Sequence, residues 1–351
     1  MLIVNSRFLT QQITGVQRFA IEISKQLKEK LGDKVLFVCP RNIVNKEAAE
    51  ALQAVVVGKH TGYLWEQWDL MQYMKANGGH HLLSLCGFAP VFYKNKSWVL
   101  HDIQSVRFPQ MFTWKIRLVY SILMPAVLKT SKHVFSVSNF SMKEISEHYG
   151  IPLEKMSVVH NATSGVFHKV DNANLASRKY LFAVSSVKAN KNFPVVLKAF
   201  ENVSSQCPDL HLYIAGNMNS KLFADVDISR YQQNERIHFV GHIDDQRLVE
   251  LYSNAFALLF PSFYEGFGLP IVEAQACGCP VICSDASSLP EVARDSALYG
   301  NPHNVKDFEQ AIVKLYNDDS LRNQLIAKGY ENIKRFNWSL SADNLIKELK
   351  F

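Results

Sequence analysis

Phe260-Pro-Ser-Phe-Tyr-Glu-Gly-Phe-Gly-Leu-Pro-Ile-Val-Glu-Ala-Gln-Ala-Cys-Gly-Cys-Pro-Val-Ile282 is the stretch on which the fold turns. Ala255 to Phe260 is a short apolar run that reads as a buried strand, and Pro261 and Ser262 stop it. Pro270 suits the first position of a helix, which Gly278 and Pro280 end, and Val281 to Cys283 starts another strand. The stretch is one βαβ unit. Its loop, Glu265 to Pro270, holds Gly266 and Gly268, where the backbone can approach a ligand closely. Behind them a helix start offers free N–H groups and a positive dipole end, a seat for phosphate. Glu265 and Glu273 can lie on the order of 10 Å apart, the span of a diphosphate with a sugar at each end. Carboxylates beside a polyanion are repelled unless they face hydroxyls. One reading places Glu265 on a donor sugar and Glu273 on a ribose; the other makes Glu273 a solvated helix residue. Gly266 and Gly268 begin like a dinucleotide fingerprint, but the third glycine position holds Ile271, which argues against a nicotinamide cofactor.

The strand and helix alternation extends both ways. Leu2 to Val4 and Val35 to Cys39 flank a helical pattern over Val16 to Leu31 that Gly32 ends. Gly15 stands just before that helix and Arg18 one turn in. Trp98-Val-Leu-His-Asp is a strand whose last residues, His101 and Asp102, fall at the carboxyl edge where open α/β sheets bind ligands. Ser138 caps a helix running to Tyr149. Val166 to Ser177 reads as a polar linker, and from Tyr180 to Val184 the alternation starts afresh. Lys191, just ahead of a helix start, is either a phosphate clamp or a surface lysine. Trp65, Trp68 and Tyr73 read as core or as an acceptor surface. Trp114 to Thr130 is a long helix that packs under a sheet or rests on a membrane face.

The 351 residues suffice for two domains, and 48% of them are apolar, which excludes a disordered chain. No apolar run approaches the ~20 residues that cross a bilayer. Polar Asn5-Ser-Arg follows Met1-Leu-Ile-Val at once, unlike a secretory leader. Cys277, Cys279 and Cys283 cluster, but no second pair completes a zinc set, so no metal site is expected. The net charge of +6 divides into +8 over residues 1–167 and −2 over the rest. A basic first half fits an anionic membrane face or acceptor, or mere solubility. Its dispersed cations carry no nucleic-acid motif.

Glu265 and Glu273, separated by Gly266 to Val272, resemble the paired-glutamate signature of the retaining glycosyltransferases of family 4, and the chain looks like the bacterial mannosyltransferases of surface polysaccharide assembly. His101-Asp102 before Pro109, Ser138-Asn-Phe-Ser141, Gly150-Ile-Pro152 and Ser287 to Val292 resemble the same family. The resemblance implies a GT-B fold of two facing Rossmann-like domains: 1–167 on the acceptor side, 168–336 binding the donor, and 337–351 as a helix returning to the first. It implies transfer of a hexose, mannose favoured, from a GDP- or UDP-linked donor to a glycan or lipid-linked hydroxyl, with retention and no cofactor or metal. It places Glu265, His101 and Lys191 in catalysis. Gly15, Lys191, Gly216, Gly266, Phe267, Gly268, Leu269 and Glu273 would hold the donor, and backbone near Phe239 to His242 the base. The expected setting is cytoplasmic, peripheral at the inner membrane face. The family's second cation is missing: Ser186 and Asn190 stand where an arginine is usual, leaving Lys188 or Arg18 as substitutes. A sugar-nucleotide epimerase or hydrolase, or a non-catalytic binding subunit, remains the alternative.

Overall fold

Short runs such as Leu2-Ile-Val-Asn5 and Ala257-Leu-Leu-Phe260 are apolar without alternation and buried along their length. Such runs belong to parallel sheets covered on both faces by helices. The computed structural model, which describes residues 1–184, 189–216 and 228–349, contains two such sheets. The chain divides into one unit of Met1–Asn161 with Asn337–Phe351 and a second of Ala162–Phe336.

In the first unit the strands are β1 (Leu2–Asn5), β2 (Val35–Cys39), β3 (Val55–Val56), β4 (His81–Ser84), β5 (Lys96–Val99), β6 (His133–Ser136) and β7 (Met156–Val158). They lie in the order β3-β2-β1-β4-β5-β6-β7, all parallel. The order reverses between β1 and β4, which is the point at which open α/β sheets bind ligands. The helix Gly15–Leu31 buries Phe19, Ile23 and Leu27. The helix Trp338–Leu349 packs on it: Trp338 meets the Phe19 ring at 5.8 Å, Asp343 pairs with Lys30 at 2.9 Å, and Ser341 Oγ donates to the His160 carbonyl at 2.8 Å.

In the second unit β8 (Lys179–Val184), β9 (Leu210–Ala215), β10 (Ile237–Gly241), β11 (Ala257–Phe260), β12 (Val281–Ser284) and β13 (Ala297–Gly300) lie in the order β10-β9-β8-β11-β12-β13. The reversal falls between β8 and β11. The core under this sheet gathers Val196 and Phe200 from the helix Phe193–Val203 with Phe308 and Ile312 from Val305–Tyr316.

Two strands escape the sequence reading. β4 is four residues behind the turn glycines Gly78 and Gly79, and β13 is four residues with half-buried Leu298 and Tyr299. His81 and Ser84 bound only two apolar residues in β4, and Tyr299 and Gly300 close β13, so neither reads as an apolar run. Residues 166–177, expected as a linker, are instead tied to the second unit. Val170 N–H donates to Ser253 Oγ at 3.0 Å, and Lys169 donates to the Ser253 carbonyl.

Candidate functional site

Two loops leave the carboxyl ends of β8 and β11, on either side of the second sheet's reversal, and three consecutive residues lock them together. Asn190 Nδ2 donates to the Tyr264 carbonyl at 2.9 Å. Lys191 Nζ meets Glu265 Oε1 at 2.6 Å. Asn192, with a left-handed φ of 56°, donates to the Pro261 carbonyl at 3.0 Å and the Pro302 carbonyl at 2.7 Å. Lys191 and Glu265 are only 15% and 11% exposed, and the ammonium lies 5.2 Å from the Phe260 ring centre. In a pair this sheltered from water, removing either partner strands the other charge in a poorly solvated place. Lys191 is therefore not a free surface lysine.

The Glu265 loop is held from its other side as well. Ser287 Oγ accepts from the Glu265 N–H at 3.1 Å, and Ser288 Oγ donates to the carbonyls of Glu265 and Phe267, each at 2.9 Å. Gly268 has a φ of 100°, and a Cβ there would come within 2.6 Å of Leu289 Cδ2. Leu269 opens the helix Leu269–Ala276, with Pro270 in its first turn. The Phe267 ring is buried against Phe336 at 5.2 Å. Glu273 is buried on this helix, and the Tyr252 hydroxyl lies 3.3 Å from its Oε2. A solvated helix position is thereby ruled out. Gly216 follows β9 with a φ of 140° and donates its N–H to the Gly241 carbonyl at 2.8 Å. Asn190 is buried and engaged with Tyr264, so it brings no charge; Ser186 and Lys188 lie outside the described residues.

In the first unit His101 follows β5 by two residues. Its Nε2–H donates to the Leu85 carbonyl at 3.1 Å, and its ring stands edge-on to Phe19 at 4.8 Å. Burial pushes its pKa down to about 4, so the neutral ring presents Nδ1 as an acceptor. His101 lines a pocket of about 230 Å³ together with Val16, Phe88, Trp98 and Tyr120. Asp102 Oδ1 accepts from the Gln104 N–H at 2.8 Å. Gly15 is the first residue of its helix, preceded by Thr14, whose N–H donates to Gln17 Oε1 at 3.2 Å. Arg18 faces a surface hollow with Glu22, Lys25, Lys46 and Glu47. Ser138 caps its helix by accepting the Ser141 N–H at 3.0 Å.

A further cluster sits at the first sheet's reversal. Glu66, fully buried, receives Arg7 Nη1 at 3.1 Å, the Phe88 N–H at 3.0 Å and Asn5 Nδ2 at 3.3 Å. Sequence reading missed it, because a lone Glu between Trp65 and Trp68 in a helical pattern carries no spacing signal. Among the described residues, no group of three His, Cys, Asp or Glu is disposed to hold a metal ion, and all six cysteines are buried thiols. No helix there is long and apolar enough to cross a membrane.

Two family models match successive parts of the chain: Glycosyltransferase Family 4 over residues 13–164 and Glycosyl transferases group 1 over residues 167–332. The chain is 27% identical to the O-antigen chain mannosyltransferase RfbU of Salmonella typhimurium, over 96% of this chain and 99% of that protein. It is 30% identical to O-antigen chain mannosyltransferase B of Escherichia coli, over 64% of this chain and 61% of that one. Among solved structures, the Anabaena HepE protein in complex with UDP and glucose superposes with a TM-score of 0.73 at 17% identity, over 99% of this chain and 98% of that one. WaaG, a glycosyltransferase involved in lipopolysaccharide biosynthesis, superposes with a TM-score of 0.70 at 14% identity over the full length of both. With the paired glutamates and both doubly wound sheets in place, the chain belongs to glycosyltransferase family 4 and has the GT-B fold.

Proposed function

We propose that this glycosyltransferase moves mannose, with retention, from a nucleoside diphosphate sugar to a glycan or lipid-linked hydroxyl in surface polysaccharide assembly. The Lys191–Glu265 pair at the reversal of the second sheet carries the reading. It sets a cation and a carboxylate beside the helix start at Leu269, where N–H groups favour a diphosphate. The full-length likeness to an O-antigen mannosyltransferase supports mannose, and GDP is favoured over UDP as the donor's nucleotide. In this scheme Lys191 and the loop N–H groups of Gly266 to Leu269 stabilise the departing diphosphate. Glu265 holds the donor sugar, Glu273 the ribose, Gly15 and Gly216 offer backbone to the donor, and His101 faces the reacting sugar. The bond from C1 to the phosphate oxygen breaks as the acceptor oxygen bonds C1 on the same face, and the acceptor's proton passes to the leaving phosphate. No cofactor or metal takes part, and activity is expected to survive chelation.

The helix Trp114–Thr130 supports a peripheral contact with the inner membrane face. Trp114, Leu118 and Ile122 are exposed at four-residue spacing, with Lys115 and Arg117 beside them. A thermal-shift panel of nucleotide sugars, followed by nucleoside diphosphate release with and without acceptor, tests the assignment. Stabilisation by one donor and acceptor-dependent release are expected. Release at the same rate without acceptor would make the chain a hydrolase, and conversion of the donor into another sugar nucleotide would make it an epimerase. Binding without turnover on any acceptor would make it a binding subunit.

A further inference from the structure

The loop between β4 and β5 has two anchors and one output. Trp98 Nε1–H donates to the Gly87 carbonyl at 2.7 Å, and Glu66 Oε1 accepts the Phe88 N–H at 3.0 Å. Between them Gly87 takes a φ of 75°, and a Cβ there would lie 2.4 Å from Glu66 Oε1. The loop therefore closes directly onto the carboxylate. Its first residue, Leu85, is fully buried and gives its carbonyl to His101. The carboxylate is held in turn by Arg7, whose guanidinium also lies over the Tyr63 ring at 4.9 Å. Asn5, the last residue of β1, ties the same cluster to Ser84 Oγ at 3.2 Å and to the Phe88 carbonyl at 3.1 Å. Glu66 lies in a π-helical turn, Trp65–Asp69, and such turns are frequent at functional sites.

A buried carboxylate with an arginine partner is a costly way to fix a loop, since desolvation offsets most of its attraction. What it adds is direction: three donors converge on one group and leave the Leu85–Phe88 segment one arrangement. The Leu85 carbonyl can only accept, so it selects the imidazole with its proton on Nε2 and an open Nδ1. We propose that Glu66 is the positioning residue for His101, setting its tautomer and aim through the Leu85–Phe88 loop. This rests on His101 facing the reacting sugar.

The test combines turnover with a direct view of the ring. Imidazole-labelled full-length protein is observed by NMR, with His101 assigned by its loss in His101→Gln. In the parent, His101 is expected to carry its proton on Nε2. In Glu66→Ala that preference is lost, and kcat falls on the order of 100-fold while donor KM is held. Glu66→Gln keeps an acceptor for the Phe88 N–H, so it keeps both the tautomer and kcat to within roughly tenfold. Glu66→Gln also guards against an alanine variant that fails to fold: if its ring signal becomes mixed, or kcat collapses with the signal intact, the proposal is overturned. A folded Glu66→Ala with the parent tautomer overturns it too. A mixed tautomer at unchanged kcat upholds the positioning and removes His101 from the reaction, so the two readings fail separately.

Discussion

Lys191 Nζ and Glu265 Oε1 lie 2.6 Å apart, joining the loop after β8 to the loop after β11. In the proposed reading, a diphosphate held by Lys191 shares that lysine with Glu265. Lys191→Ala is expected to lower kcat by about 10²–10³-fold, as loss of a charge-stabilising donor does. Glu265→Ala is expected to act chiefly on kcat as well. Because each removal strands the other charge, the double variant should fall well short of the sum of the singles. Steady-state kinetics on the three proteins measure the coupling, and strict additivity would mean that the two groups act apart.

Glu273 is expected to divide from Glu265 in its effect. It is buried beside Tyr252 on the helix Leu269–Ala276 and is assigned to the ribose. Glu273→Ala should weaken donor binding with a smaller loss in turnover. Calorimetry with the donor reads this directly, and an affinity equal to the parent's would eliminate the ribose contact.

Gly268→Ala tests how tightly the Glu265–Pro270 loop is built. A side chain there would adopt a φ of 100° and meet Leu289 Cδ2 at 2.6 Å. The cost should be roughly 1–3 kcal/mol, seen as a lower Tm together with weaker donor binding. Gly165→Ala, with open space at its Cβ and no left-handed φ, should leave Tm within experimental error.

Acid should destabilise the protein in a defined window. Burial pushes His81 and His101 down to about 4, from an ordinary 6.5. As pH falls below 6.5 the unfolded chain takes up two protons at these histidines that the folded one refuses until about 4, so their contribution to stability is lost across that interval. Glu66 works in the opposite sense: burial, against the pull of Arg7, raises its carboxyl to about 7, so the folded state holds a proton there that the unfolded state releases above 4.5. Between 4.5 and 6.5 it offsets one of the two protons withheld at His81 and His101, and His211 and His238, also shifted down by burial, add to the imidazole side. Glu66→Gln removes the opposing group and should make the loss of stability in acid steeper. Urea midpoints at pH 5 and pH 7.5 decide it; an unchanged slope would mean that Glu66 is ionised throughout.

Much of the second unit was readable because its signals are local. Gly268, Pro270 and Gly278 punctuate one βαβ unit, and Asp244 caps its helix by accepting the Arg247 N–H at 2.8 Å. Family resemblance marked Lys191 and Glu265 individually, whereas their contact joins residues 74 apart in sequence. Glu66 was illegible for the same reason: its partners come from two distant segments, Asn5 to Arg7 and Phe88, and nothing beside it in the chain announces its burial. Trp65 and Trp68 show how periodicity stops short, since the first is fully buried and the second about half exposed.

The helix Trp338–Leu349 completes the unit that begins at Met1, although 175 residues of the other unit intervene. On the ribosome, the second unit can emerge and fold while the first still waits for its last helix. During that interval Phe19 lacks its Trp338 neighbour, and the apolar side of Gly15–Leu31 lies open to chaperones and to misassociation. Truncations or bulky fusions at the carboxyl end should therefore reduce yield through the amino-terminal half of the protein.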